Sequence, residues 1–125
     1  MLDDGAPIFS QIAERLADDI ADGTLAEGDR VPSTNELAAF YRINPATAAK
    51  GINVLTDGEL VEKRRGIGMF VAAGARARLL DERRERFAKR YVEPMVVEAH
   101  RLRIDADALI SMVRAADHVQ GGVTI

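Results

Sequence analysis

Residues 31–71 read VPSTNELAAFYRINPATAAKGINVLTDGELVEKRRGIGMFV, and the order of signals within them decides the fold. Ser33-Thr34-Asn35-Glu36 is a capping box: a hydroxyl side chain caps the first free amides and Glu36 reaches back to the cap. Leu37 and Ala38 then begin an apolar stripe that ends near Tyr41. Asn44-Pro45 opens a second helix, with Asn as N-cap and Pro at the first helical position, where its missing N–H costs nothing. At about 100° per residue, Ala48, Ile52 and Leu55 share one face, and Ala46, Lys50 and Asn53 point the other way. Asp57-Gly58 ends this helix, with Gly58 expected in the left-handed cap conformation. Leu60–Arg64 and Met69–Val71 predict two short strands around Arg65-Gly66-Ile67-Gly68. Helix, turn, helix, basic hairpin: the pattern predicts a winged helix-turn-helix.

Such a fold places particular side chains where a duplex would lie. A helix entering the DNA major groove needs a small, polar leading surface, so that side chains reach base edges while the backbone comes close. Ala46, Thr47 and Lys50 supply it. Thr47 and Lys50 carry no structural duty on that face and are read as base contacts. Ser33 and Thr34 cap a helix first and approach phosphate second, since helix N-termini bind phosphate readily. Asn35 is an exposed first-turn residue read as a DNA contact, and Asn44 is a cap first and a contact second. Arg64, Arg65, Gly66 and Gly68 form a wing tip that grips the backbone or enters a minor groove. The Gly-x-Gly there lacks the spacing and the Lys of a nucleotide phosphate loop.

The run resembles the DNA-binding domain of GntR-type bacterial transcription regulators. Their pattern is roughly Leu-Pro-Ser, two variable residues, Glu-Leu-Ala, a second helix opening at a Thr/Asn-containing turn, and a wing ending Arg-Gly-x-Gly-Thr-Phe-Val. Here the matching residues are Val31-Pro32-Ser33, Glu36-Leu37-Ala38, Asn44-Pro45-Ala46-Thr47 and Arg65-Gly66-Ile67-Gly68-Met69-Phe70-Val71. The Asn-Pro-x-Thr turn and short helical tail look most like the YtrA subfamily. The resemblance covers about residues 7–72 strongly and the tail by length and helicity. Val31 replaces the usual Leu, Met69 replaces Thr, and Asn35 stands where many relatives carry an Arg. Kinship of this kind implies autoregulation and control of a neighbouring transporter operon.

Composition fits a soluble globular protein of one domain plus an appendage: 125 residues, 47% hydrophobic and 30% charged. No apolar run approaches the ~20 residues needed to cross a bilayer, which argues against a membrane partner. The N-terminus lacks the basic and apolar regions of a signal peptide, so a cytoplasmic location is expected. With no Cys there is no disulfide framework or thiol zinc site, and no cofactor or metal is expected. The charge opposes DNA binding: residues 1–75 hold 7 basic against 12 acidic side chains. Its distribution favours it. Most of the acid precedes Arg30, whereas Arg42, Lys50, Lys63, Arg64 and Arg65 belong to the predicted reading head. The acidic half also supports an alternative reading, a winged-helix module that binds protein instead of DNA.

The flanks supply support and a partner surface. Ile8, Ile12, Leu16 and Ile20 recur every four residues and predict a first helix over 7–22. Its outer Glu14, Asp18, Asp19 and Asp22 read as a solvated face. A loop, 24–30, joins it to the capping box. Residues 76–103 predict a long helix in which Pro94 must cause a kink or break. Leu80, Phe87, Tyr91 and Met95 mark one stripe, and Leu102 extends the apolar surface. Asp105 caps a last helix, 106–117, whose apolar side includes Leu109, Ile110 and Val113. Two such helices enclose little alone, so this surface is expected to bury itself in a homodimer that places two heads on a palindromic duplex. A small-molecule effector, if one acts, belongs in the seam between tails. His100 and His118 lack partnered nucleophiles, so no enzyme is predicted.

The expected organisation is therefore mainly α with a small β-hairpin. A winged helix-turn-helix spans 1–75, a helical dimerisation hairpin with any effector region spans 76–118, and a loose tail covers 119–125.

Overall fold

The computed structural model describes residues 5–121. Helix α1 (Ile8–Ala21) is followed by strand β1 (Arg30–Val31), helices α2 (Thr34–Tyr41) and α3 (Pro45–Asp57), and strands β2 (Val61–Arg64) and β3 (Gly68–Val71). Helix α4 (Ala75–Phe87) runs into a π-helical turn (Ala88–Val92), then α5 (Glu93–Arg101) and α6 (Ala106–Gly121). The described residues divide into two compact units, the first ending at Arg83 and the second beginning at Arg84.

The first unit is built on the apolar stripe of α1. Ile12, Ala13, Leu16, Ala17 and Ile20 are buried against Leu37 and Ala38 of α2 and Ala48, Ile52 and Leu55 of α3. Ile12 and Ile20 are almost wholly out of water, a gain of roughly 2 kcal/mol each. Gly51 lies where α3 meets α1, and a Cβ there would stand 3.1 Å from the Phe9 carbonyl oxygen. The strands form an antiparallel sheet in the order β1-β3-β2. The expected hairpin thus gains a third strand, whose first residue, Arg30, is the last of the predicted loop 24–30. Arg30 pairs with Phe70 and Val31 with Met69. Two residues are too few to display the alternation by which a strand is recognised in sequence.

Several local expectations hold in detail. The Ser33 hydroxyl accepts from Glu36 N–H at 3.1 Å, and Glu36 Oε1 accepts from Ser33 N–H at 3.0 Å. Asn44 Oδ1 accepts from Ala46 N–H at 2.8 Å. Asp105 Oδ1 accepts from Ala108 N–H at 2.8 Å, capping α6 as expected. The end of α3 differs: Gly58 keeps φ −82°, and it is Glu59 that takes the left-handed conformation at φ 60°. The helix unwinds one residue later than a glycine cap would make it. Glu14 and Asp18 do more than face solvent, because Arg83 Nη2 donates to both, at 2.9 and 2.7 Å.

In the second unit the predicted long helix is interrupted before Pro94, not at it. The ring of Pro94 would collide with the carbonyl of Arg90 in a continuous α-helix. The wider π turn at Ala88–Val92 removes that conflict and leaves Pro94 as the second residue of α5. Helix α6 continues to Gly121, past the predicted end at 117, so residues 119–121 of the expected loose tail are helical. Its remaining residues, 122–125, lie outside the described residues. Ala99 is the only buried side chain among the described residues of this unit.

Candidate nucleic-acid interface

The interface is assembled from three elements of the first unit. Capping at Asn44 and a Pro at N1 fix where α3 starts, so Ala46 and Lys50 emerge on the exposed side of its first turns, with Thr47 half-buried beside them. Arg42, at φ 56°, closes α2 and makes the turn between the two helices short. Ser33, Thr34 and Asn35 begin α2, the first two half-buried and Asn35 exposed. The hairpin between β2 and β3 carries Arg65, Gly66 and Ile67 at its tip, all exposed.

A cleft of about 430 Å³ opens between these elements. Ser33, Thr34, Arg64, Gly66 and Gly68 all line it, so the structure brings these five predicted residues together. Asn35, Asn44, Ala46, Thr47, Lys50 and Arg65 are not among its lining residues. Of the other residues that line the cleft, three are polar side chains outside the predicted contact set: Arg30, Asn53 and Lys63. Asn53 and Lys63 had a signal, one on the outward side of α3 and the other in the basic run of the wing. Arg30 had none, because its place depends on the pairing of β1.

Two of the predicted basic residues are already engaged. Lys50 Nζ stands 4.2 Å above the centre of the Phe9 ring, a cation–π contact that holds the ammonium at the junction of α1 and α3. Arg64 lies 4.3 Å over Phe70 and donates from Nη2 to Glu62 at 3.1 Å. These contacts restrict where each cation can reach without removing its charge. Hydrogen bonding from Ser33, aided by Arg30, holds the Glu36 carboxyl below its ordinary value of 4.5. No group of three or more metal-ligating side chains occurs among the described residues, and no described helix is long and apolar enough to cross a membrane.

The expected dimer surface is largely uncovered in the single chain. Phe87, Tyr91, Met95, Leu102 and Val113 are exposed, Leu109 is half-buried, and Leu80 is half-buried in the first unit. Between α5 and α6 an apolar groove of about 400 Å³ is lined by Met95, Val96, Ala99, Leu109 and Val113, with His100 and Arg114 at its polar side.

Comparison with known proteins gives one consistent result. The family profile described as bacterial regulatory proteins, gntR family, matches residues 9–71. The HTH-type transcriptional repressor YtrA of Bacillus subtilis is 28% identical over 118 residues, covering 93% of this chain and 89% of YtrA. A crystal structure assigned to the GntR family of transcriptional regulators, from Bacteroides thetaiotaomicron, superimposes with TM-score 0.76 at 33% identity. That match covers 90% of this chain and 98% of the other. The DNA-binding domain of AraR, solved in complex with operator ORX1, matches at TM-score 0.52 and 28% identity over 54% of this chain and 81% of that one.

Proposed function

The chain belongs to the gntR family of bacterial regulatory proteins, and we propose that within it the protein is a homodimeric, sequence-specific repressor. The family and its relatives are transcription regulators and not enzymes. We infer that two copies bind a palindromic operator and repress the protein's own gene and a neighbouring transporter operon. The observation that carries the DNA-reading part is the shared opening of α2's first turn, α3 at Asn53 and the wing onto one cleft, with Thr47 and Lys50 outside it and earlier on α3. Thr47 and Lys50 are the base-reading pair, with Asn35, Asn44 and Ala46 fitting the helix into the groove. Ser33, Thr34, Arg64, Arg65, Gly66 and Gly68 meet the backbone.

The dimer is supported by the exposed apolar side chains of the second unit. Exposed side chains as large and apolar as Phe87, Tyr91 and Met95 are a poor surface to leave in water. The groove between α5 and α6 gives a second copy somewhere to bury them. Repression is supported by the name of YtrA, and control of a transporter operon by the subfamily resemblance alone. The acidic balance of residues 1–75 means that binding draws on few basic groups per chain, which favours two linked copies over one.

Fluorescence anisotropy with the duplex upstream of the protein's own gene tests this directly. Nanomolar, competitor-resistant binding at two chains per site is expected, falling steeply as salt rises. Lys50→Ala is expected to weaken specific binding roughly tenfold and to leave non-specific binding nearly unchanged. Equal losses on both would show that Lys50 touches only phosphate. Absence of salt-sensitive binding at low salt would overturn the regulator reading for this duplex.

A further inference from the structure

We propose that Arg30 is a positioning residue that sets the wing against the helix-turn-helix, so that the wing tip and α3 engage the duplex together. The inference rests on the DNA-binding reading given above. It starts from the register of the sheet. Strand β1 reaches only as far as the Val31–Met69 pair, whereas β2 and β3 continue to the Arg64–Gly68 pair. Beyond Met69, therefore, no backbone ladder joins the wing to β1.

The Arg30 side chain occupies that gap. A Cβ built on Gly68 would stand 3.2 Å from Arg30 Nε and 3.9 Å from its Cδ, so the arginine stem lies directly against the wing backbone. Gly68 itself has φ 144°, a conformation other residues rarely adopt. At its far end, Arg30 Nη2 is 3.5 Å from Glu36 Oε1. The same carboxylate oxygen accepts the Ser33 N–H at the start of α2. Gly68, Arg30, Glu36 and Ser33 thus form a continuous bracket from the wing to the first turn of α2, with Gly68, Arg30 and Ser33 lining the cleft.

Both side chains of the ion pair are more than half exposed, at 54% and 56%. Pairs of this kind add little to stability, because water and salt screen them. What the bracket controls is direction: it restricts the swing of a short basic hairpin whose tip carries Arg65. If the wing is held, Arg65 meets the backbone in the pose that also seats α3. If it is not, Arg65 loses part of its effect.

A double-mutant cycle on the full chain tests this, using the same upstream duplex and several salt concentrations. Arg65→Ala is expected to lower affinity about tenfold and to reduce the salt slope by about one. Arg30→Ala is expected to cause a smaller loss, about threefold, and Arg65→Ala made in its background to add only about threefold in place of tenfold. Circular dichroism should show Arg30→Ala folded, with a melting temperature close to that of the parent. Should it not fold, Arg30→Gln goes through the same cycle. Independent, multiplying losses would show that Arg30 meets phosphate on its own account and would overturn the positioning role. So would an Arg30 variant that binds as the parent does. Failure of the parent protein itself to bind would remove the DNA-binding reading and this inference with it, whereas the first two results remove the inference alone.

Discussion

Glu36 shows how much one side chain can be asked to do. Its carboxylate closes the capping box and receives Arg30, so ionisation matters to both. The folded protein holds its pKa below the ordinary value, with the hydrogen bond from Ser33 as the main cause. A depressed carboxylate stabilises the fold above its unfolded pKa, and that contribution disappears as pH falls through the folded value. Glu36→Gln should therefore melt lower than the parent at pH 7, with the gap closing as the pH drops below 4.5. A gap that persists unchanged at pH 3 would show that charge is irrelevant to the cap. The caps were legible in the sequence because each is a local bargain among residues within three positions. Arg30 was not, since its partners Gly68 and Glu36 come together only after the sheet has formed. Nor was the pairing of Lys50 with Phe9, which lies 41 positions away in the chain.

Elements are where packing overrules propensity. A glycine inside α3 weakens the helix by about 1 kcal/mol relative to alanine, yet Gly51 is buried at the contact with α1. Its Cβ would sit 3.1 Å from a backbone oxygen and 3.3 Å from Ile12 Cγ2. The carbonyl of Phe9 cannot step aside without bending α1, so the clash should outweigh the gain in propensity. Gly51→Ala is expected to destabilise the first unit by roughly 1–2 kcal/mol, read as a lower midpoint in urea with unchanged slope. A stabilised variant would mean that α1 and α3 can separate at little cost. Helices α1, α2 and α3 were readable from period and caps. The sheet was readable only in part, because β1 has two residues and draws its identity from β3. At the end of α3, the glycine rule pointed one residue too early.

At the scale of the whole molecule, the two units differ in what they leave uncovered. The first buries its apolar stripes and exposes a cleft bordered by cations, while the second buries only Ala99 among its described residues. That contrast is what a homodimer through the second unit would explain. Val113→Asp places a charge in the groove between α5 and α6 and is expected to convert a two-chain species to single chains by light scattering. The melting of the first unit should be unaffected, and operator affinity should fall tenfold or more as the two heads become unlinked. A variant that keeps its two-chain mass would place the interface elsewhere. The sequence showed these apolar residues but not the phase in which they are presented, and the π turn at Ala88–Val92 is the reason. Such a turn is an α-helix with one residue too many for its length. Everything after it is rotated about the axis relative to everything before it, so a heptad or four-residue count carried straight through residues 76–103 assigns the later side chains to the wrong face. Relatives that lack the extra residue would therefore align with this tail only across a one-residue gap, and their apolar faces should be compared on each side of that gap separately.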